Sequence, residues 1–490
     1  MAQAGSILST LILLPLLVQS FGVALYGTLA LSASVTGYAL LLDFGISATL
    51  VRLVAERTAR KDSEGVGRAV LSAAMLYGMI GVTVAVFLAI LGVLAGSIFD
   101  VSPGEALLLQ RLLWVGAIAS LWQWPAMTAR DALAGLQRYD LIASVTLATV
   151  AADIAGTIYV LASGSGLVTY AVLRVAAQLL GSIVNTVLAV RLLPREVRRA
   201  TPTLEDARHI GRSGSSIFAL QIAGVMSRQQ ADKLIIGVFV GTAAVALYDL
   251  AAKLNSLVST LMGLTVSAVL PVAAEIHAKG DRGAMTALFY RGTKLIASFM
   301  APITTTLIVV AIPFMTTWLG PGFEQAGVLA QLLLASQLLL PLYQLGDQIL
   351  IGKNRFSIWV RGGLTLACFN VALSVILVQE YGAVGVTAAT LIACLLEFPW
   401  YLRVFSREMD IPVRDWLRRT AWPTYPLLVI PVLLGVGAIA LGLTDTLPGL
   451  AATLAVAALA YWAVLLSVGY SAEERLYVFR LIPFLRPKDA

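Results

Sequence analysis

Along the chain, apolar runs of helical length alternate with short polar breaks. The breaks fall at Gly22 and at 55–66, 97–104, 135–140, 162–166, 194–212, 241–242, 276–292, 319–325, 352–357, 379–383, 406–418 and 444–449. These 13 breaks delimit 14 runs, each near the ~20 apolar residues that a helix needs to cross a hydrocarbon core. The pattern predicts an all-α polytopic membrane protein of about 14 transmembrane helices. The first run covers residues 5–20, and no Lys or Arg precedes Arg52, so it lacks the basic flank of a cleaved signal peptide.

Composition agrees with that pattern. The 490 residues are 59% hydrophobic and 12% charged, with a mean hydropathy of +0.87. Soluble domains carry about 25% charged residues, so a soluble enzyme is excluded. Cys368 and Cys394 lie in apolar runs and His209 and His277 are far apart in sequence, so neither a disulfide framework nor a metal site is expected.

Charge placement orients the chain. The net charge is +7, and 29 of the 34 basic residues fall in alternate connectors and their helix ends: 52–68, 130–138, 191–212, 279–294, 353–361, 403–419 and 475–488. The intervening connectors contain no basic residue. By the positive-inside rule the basic set is cytoplasmic, and an even number of spans puts both termini there. Basic residues used in this way leave no case for nucleic-acid binding. Every connector is short, the longest running from Pro194 to Arg212 on the cytoplasmic side. A membrane glycosyltransferase or polymerase with a sizeable outer catalytic loop is therefore disfavoured, and a transporter without enzymatic activity is expected.

The chain also repeats itself at a separation of about 220 residues. Ala24-Leu25-Tyr26 recurs as Ala246-Leu247-Tyr248, Ser47-Ala48-Thr49-Leu50 as Ser267-Ala268-Val269-Leu270, and Ala55-Glu56 as Ala274-Glu275. Six spans per copy is an even number, so the copies would be parallel, related by an axis along the membrane normal. The expected division is a six-helix lobe over 1–200, a second over 201–408, and an accessory hairpin with a cytoplasmic tail over 409–490.

The stretches Phe21 to Glu56, Asp232 to Glu275 and Pro313 to Phe323 resemble the polysaccharide-flippase branch of the multidrug/oligosaccharidyl-lipid/polysaccharide exporter superfamily. The resemblance implies a twelve-helix core with two extra helices in a bacterial inner membrane. It also implies alternating access that moves undecaprenyl-diphosphate-linked oligosaccharide repeat units to the outer leaflet, for lipopolysaccharide O-antigen or other surface polysaccharide. The implied partners are that lipid-linked substrate, membrane lipids, and the polymerase and glycosyltransferases acting on the same unit. A cation-coupled multidrug exporter of the same superfamily is the alternative.

Five basic residues, Arg111, Arg174, Arg228, Lys233 and Lys253, fall in the middle or outer half of their runs. A charge at mid-membrane costs ~2.5–3.5 kcal/mol on insertion scales and normally faces a bundle interior or an aqueous cavity. A diphosphate is held through Arg forks and Lys point charges, so these five are the candidate substrate-binding residues. Spacing divides them. Arg228 and Asp232, and Asp249 and Lys253, are i,i+4 and able to pair along one helix; Arg111, Arg174 and Lys233 have no acid three or four positions away. Asp43, Asp153 and Asp347 are the candidate ion-coupling carboxylates, since such a group can carry a proton or, ionised, a sodium ion; structural hydrogen bonding is the competing role. No other cofactor is expected. Trp122 and Trp124 lie deep enough to line a sugar path.

The charge pattern predicts which connectors face outward. In a variant lacking Cys368 and Cys394, single cysteines at Ser102, Gly164, Glu324 and Asp445 should react with an impermeant thiol reagent added outside, and those at Ser63, Thr203 and Ser406 should not. Reversed labelling overturns the orientation.

Overall fold

A computed structural model describes residues 2–193, 197, 200–212, 230–267, 269–352, 356–472 and 474–475. The described residues are helical throughout, joined by short turns. In chain order the first helices are α1 (Ala2–Phe21), α2 (Val23–Ala39), α3 (Ile46–Ala59), α4 (Ser63–Ile98), α5 (Pro103–Gly135), α6 (Tyr139–Ser163) and α7 (Leu167–Leu192). They continue as α8 (Gln230–Phe239), α9 (Thr242–Ser267), α10 (Val269–Lys279), α11 (Arg282–Leu319), α12 (Glu324–Gln337) and α13 (Leu340–Gly352). The last are α14 (Phe356–Met409), α15 (Val413–Thr420), α16 (Val429–Ala440) and α17 (Leu447–Val464).

Among these helices, eight are long and apolar enough to cross a membrane, and up to ten if each of two bent pairs counts as one span. The expected 14 spans are thus a larger number than length and composition single out here. Part of the difference is that α14 runs through the expected 379–383 break and counts as one span where two were expected, and that the run 5–20 is represented only by the shorter apolar helix Ile12–Phe21 among the described residues. Residues 23–54, expected as one run, break at a 3₁₀ turn, Leu40–Asp43, followed by left-handed Phe44 (φ 49°) and Gly45 (φ 73°). The run after Phe323 likewise bends by 50° between α12 and α13. The breaks themselves lie where helices end, and local chemistry explains several of them. Asp62 and Asp281 cap α4 and α11 through the backbone N–H of Gly65 and Ala284, both at 2.8 Å, and Ser102 with Glu105 forms a capping box at the start of α5. Gly382, inside the expected 379–383 break, interrupts α14 with φ 55°.

The chain divides into two compact units, residues 1–249 with 378–383, and residues 250–377 with 384–490. The first unit ends within α9, and small residues pack its helices together. A Cβ on Gly27 of α2 would stand 1.8 Å from the Thr242 carbonyl oxygen, and one on Gly237 of α8 would stand 2.8 Å from Leu31. Glycine at both places lets α2 lie directly against α8 and the start of α9. The Thr242 hydroxyl donates to Glu105, and the Asp100 N–H donates to the Gly237 carbonyl at 3.1 Å, which fixes the same helices to α4 and α5.

In the second unit α11 is the axis, packing against α12, α13, α16 and α17. Its aromatic core is built on Phe289, which meets Phe405 at 4.6 Å and Trp416 of α15 at 4.9 Å between ring centres.

Candidate functional site

The polar residues within the first unit's helices gather into two clusters. The first lies toward the connectors without basic residues, the ends that the positive-inside rule places outside. Arg174 is seven residues into α7 from Leu167, Asp249 seven into α9 from Thr242, and Lys233 six before the end of α8. At 1.5 Å per residue all three sit about 10 Å in from those helix ends.

Asp249 is the junction of this cluster. Its carboxylate, 3% exposed, accepts the Tyr26 hydroxyl of α2 at 2.5 Å on one oxygen and the Lys233 ammonium of α8 on the other. One residue earlier on each of the two helices, the Tyr248 hydroxyl donates to Asp232 at 2.6 Å, with both residues buried. The two tyrosines of the repeated Ala-Leu-Tyr triplet therefore have the same task, each presenting its hydroxyl to a carboxylate. The repeat was visible in the sequence, but its hydroxyl chemistry was not. Tyr26 also lies within electrostatic reach of Tyr170 and Arg174.

Arg174 is held more loosely. Its guanidinium donates to the Tyr170 hydroxyl at 3.3 Å, and its Nε stands 4.0 Å from Asp153 of α6. The Arg174 side chain is 48% exposed and that of Asp153 36%. A guanidinium has five N–H donors, so most of its donor capacity is open. Arg111 is exposed and makes no hydrogen bond or ion pair with another described residue. Arg228 lies outside the described residues, so its expected pairing with Asp232 is not placed. Lys253 is half-buried on α9, in the second unit. The pairing along α9 was expected to engage Asp249, whose carboxylate takes partners from α2 and α8. Lys233, expected to lack a nearby acid, has one 16 positions on. Sequence spacing reports neighbours on one helix only, so a partner across the bundle escapes it.

The second cluster lies in the other half of the unit. Asp43 accepts the backbone N–H of Gly45 at 3.2 Å and of Ser47 at 3.3 Å, which caps the start of α3 after the break. The same carboxylate accepts the Tyr77 hydroxyl. That hydroxyl is 3.4 Å from Asp131, and Asp131 in turn accepts the Ser47 hydroxyl at 2.8 Å. Tyr77 and Asp131 were not among the expected coupling residues; no sequence spacing ties positions 43, 77 and 131 together. In the second unit Asp347 stands beside Tyr401, whose hydroxyl donates to the Tyr343 carbonyl at 3.1 Å. Trp124, one of two tryptophans deep enough to line a sugar path, is core, 5% exposed with its ring centre 5.9 Å from that of Tyr77, and the Trp122 indole donates to Ser182 at 2.9 Å.

The Lys233–Asp249 pair yields a direct test. Removing one partner of a buried pair strands the other charge and costs ~3–5 kcal/mol, whereas replacing both with apolar groups costs much less. Lys233→Met and Asp249→Leu should each lower the melting temperature of the purified protein strongly. The double variant should recover most of the loss, and strictly additive losses would show that the two charges do not depend on each other.

The sequence family described as "Polysaccharide biosynthesis protein" matches residues 1–277. A curated relative, the uncharacterized membrane protein EpsK of Bacillus subtilis (strain 168), is 23% identical over 400 residues, covering 78% of this chain and 76% of its own. Among solved structures, the lipid II flippase MurJ in an inward closed conformation superimposes with a TM-score of 0.72 at 15% identity, over 94% of this chain and 98% of MurJ. An inward-facing multidrug resistance MATE family transporter of the MOP superfamily gives 0.69 at 15% identity, over 81% and 95%. The fold is therefore the one that MurJ and the MATE transporters share, and the chain belongs to the polysaccharide biosynthesis protein family of multi-pass membrane proteins.

Proposed function

We propose that this protein moves undecaprenyl-diphosphate-linked oligosaccharide repeat units from the cytoplasmic to the outer leaflet of the bacterial inner membrane. Family membership supports a polysaccharide cargo, and the fold shared with a lipid II flippase supports a lipid-linked one. The single observation that carries the reading is Arg174. It is an arginine inside a transmembrane helix, half-exposed, with one hydrogen bond to a neutral hydroxyl and an acid at the limit of ion pairing. A diphosphate offers the guanidinium a bidentate partner that Asp153 does not.

In this reading Arg111, Arg174 and Lys233 are the first unit's basic residues for the diphosphate, with Arg228 and Lys253 the other candidates from the sequence, and the carboxylates are its competitors. Asp249 holds Lys233 while cargo is absent, and Asp153 stands only at the edge of ion-pairing range from Arg174. Asp43, Asp153 and Asp347 remain the carboxylates through which a proton or sodium gradient would be coupled. The alternative, export of organic cations, draws on the acid-rich outer cluster, where Asp153, Asp232 and Asp249 outnumber the described Arg174 and Lys233.

Replacement of Arg174 separates the two. At wild-type membrane abundance, Arg174→Gln should cut surface polysaccharide at least about tenfold, the loss of roughly one charge-assisted contact, and Arg174→Lys should keep more activity. The lipid-linked unit should accumulate on the cytoplasmic side in both the Gln variant and a gene deletion. Unchanged polysaccharide in Arg174→Gln, or a deletion strain that lacks the intermediate altogether, contradicts the proposal.

A further inference from the structure

The second unit carries two adjoining cavities at the end of α11 and along α15, where basic residues concentrate and the positive-inside rule places the cytoplasm. The smaller, of about 420 Å³, is lined by Tyr290, Arg291, Lys294, Arg418, Arg419 and Glu474. The larger, of about 830 Å³, is bounded by Arg414, Arg418, Leu417, Trp422, Tyr425 and Pro426. Arg418 lines both, so the polar chamber and the apolar one adjoin.

The charges in the polar chamber do not cancel. Lys294 is already satisfied: its ammonium meets Glu474 at 2.8 Å and lies 4.3 Å from the centre of the Tyr470 ring. Burial works against charge on Glu474, but hydrogen bonds from Lys294 and the Ser471 N–H hold its carboxyl below the usual range, so the pair stays ionic and closed. Asp415 also faces Tyr290. Arg291, Arg418 and Arg419 make no hydrogen bond or salt bridge with a described residue. Three arginines with uncommitted donors therefore surround one cavity.

They are also held in place. Trp416, fully buried between Phe289 and Phe405, anchors α15 to the core. With Trp416 turned inward, Arg414, Arg418 and Arg419 fall on the exposed side of the helix. Arg419 lies 4.9 Å from the centre of the Tyr290 ring, and stacking of this kind orients a guanidinium without using its N–H donors. Trp422, 75% exposed, projects from the rim of the apolar cavity.

We propose that the two cavities hold an anionic phospholipid of the cytoplasmic leaflet, its phosphate among Arg291, Arg418 and Arg419 and its first acyl carbons along Leu417, Trp422 and Tyr425. Charge complementarity selects the anion, and basic pockets between membrane helices on the cytoplasmic side suit lipid headgroups. The adjoining apolar chamber selects a lipid over a free anion, which has no use for it. The site does not depend on the cargo proposed above.

The test uses the full chain in nanodiscs containing acyl-brominated phosphatidylglycerol or brominated phosphatidylcholine, reading the fluorescence that Trp422→Phe removes. Phosphatidylglycerol should quench this component at a mole fraction at least about tenfold lower than phosphatidylcholine. At roughly fivefold per basic residue near the surface, Arg291→Gln and Arg418→Gln should each weaken the preference about fivefold, and the triple variant with Arg419→Gln should abolish it. Arg291 and Arg418 are exposed, so the single variants serve even where the triple fails to fold. Equal quenching by both lipids, a preference that survives the single substitutions, or its full reversal by millimolar inorganic phosphate overturns the proposal.

Discussion

A hydrocarbon environment offers no water to a stranded charge, and the first unit is organised by that fact around Asp249. The carboxylate draws a tyrosine from α2 and a lysine from α8 onto α9. Close approach is a precondition, and Gly27, one residue from Tyr26, supplies it by admitting the Thr242 backbone. Neither partner on its own is a stable occupant of the bundle. The pair with its hydroxyl donor is a neutral unit that hydrocarbon tolerates.

The same requirement explains why basic residues in the spans do not simply present a row of open cations. Lys233 is committed to Asp249, and Arg174 has Asp153 nearby at a distance too long for a hydrogen bond. A tightly held lysine and a loosely held arginine, at similar depth, differ in what an arriving anion must displace. At Arg174 it displaces almost nothing. At Lys233 it must replace a close ion pair, so binding there would free Asp249 and Tyr26 and link cargo to the packing of α2, α8 and α9.

The alternation of apolar runs and breaks was legible in the sequence because breaks in membrane helices use conspicuous residues: Asp62 and Asp281 as caps, Gly22, Gly164 and Gly382 in left-handed conformations. The break after Asp43 was not legible, since Leu40–Asp43 and Phe44 are residues that a continuous helix also accepts and Gly45 alone is a weak signal. The candidate site was legible in its charged members and not in its geometry. Arg174, Lys233, Asp43 and Asp153 stand out as charges among apolar residues, whereas Tyr26, Tyr77, Tyr170 and Tyr248 look like ordinary aromatic core until their hydroxyls are seen to meet Asp249, Asp43, Arg174 and Asp232. Asp131 was not legible as a member of its cluster, because its link to Ser47 spans 84 positions.

In the proposed function, the diphosphate of a lipid-linked sugar is the group this protein recognises and carries. Reconstitution measures it most directly. Purified full-length protein is placed in vesicles with a fluorescent undecaprenyl-diphosphate-linked oligosaccharide, and an impermeant reductant reports how fast the label reaches the opposite leaflet. Protein-dependent flipping is expected, slowing markedly with Arg174→Gln and absent for the same glycan on a lipid without phosphate. Flipping of the phosphate-free lipid at the same rate, unaffected by Arg174→Gln, would contradict the proposed function.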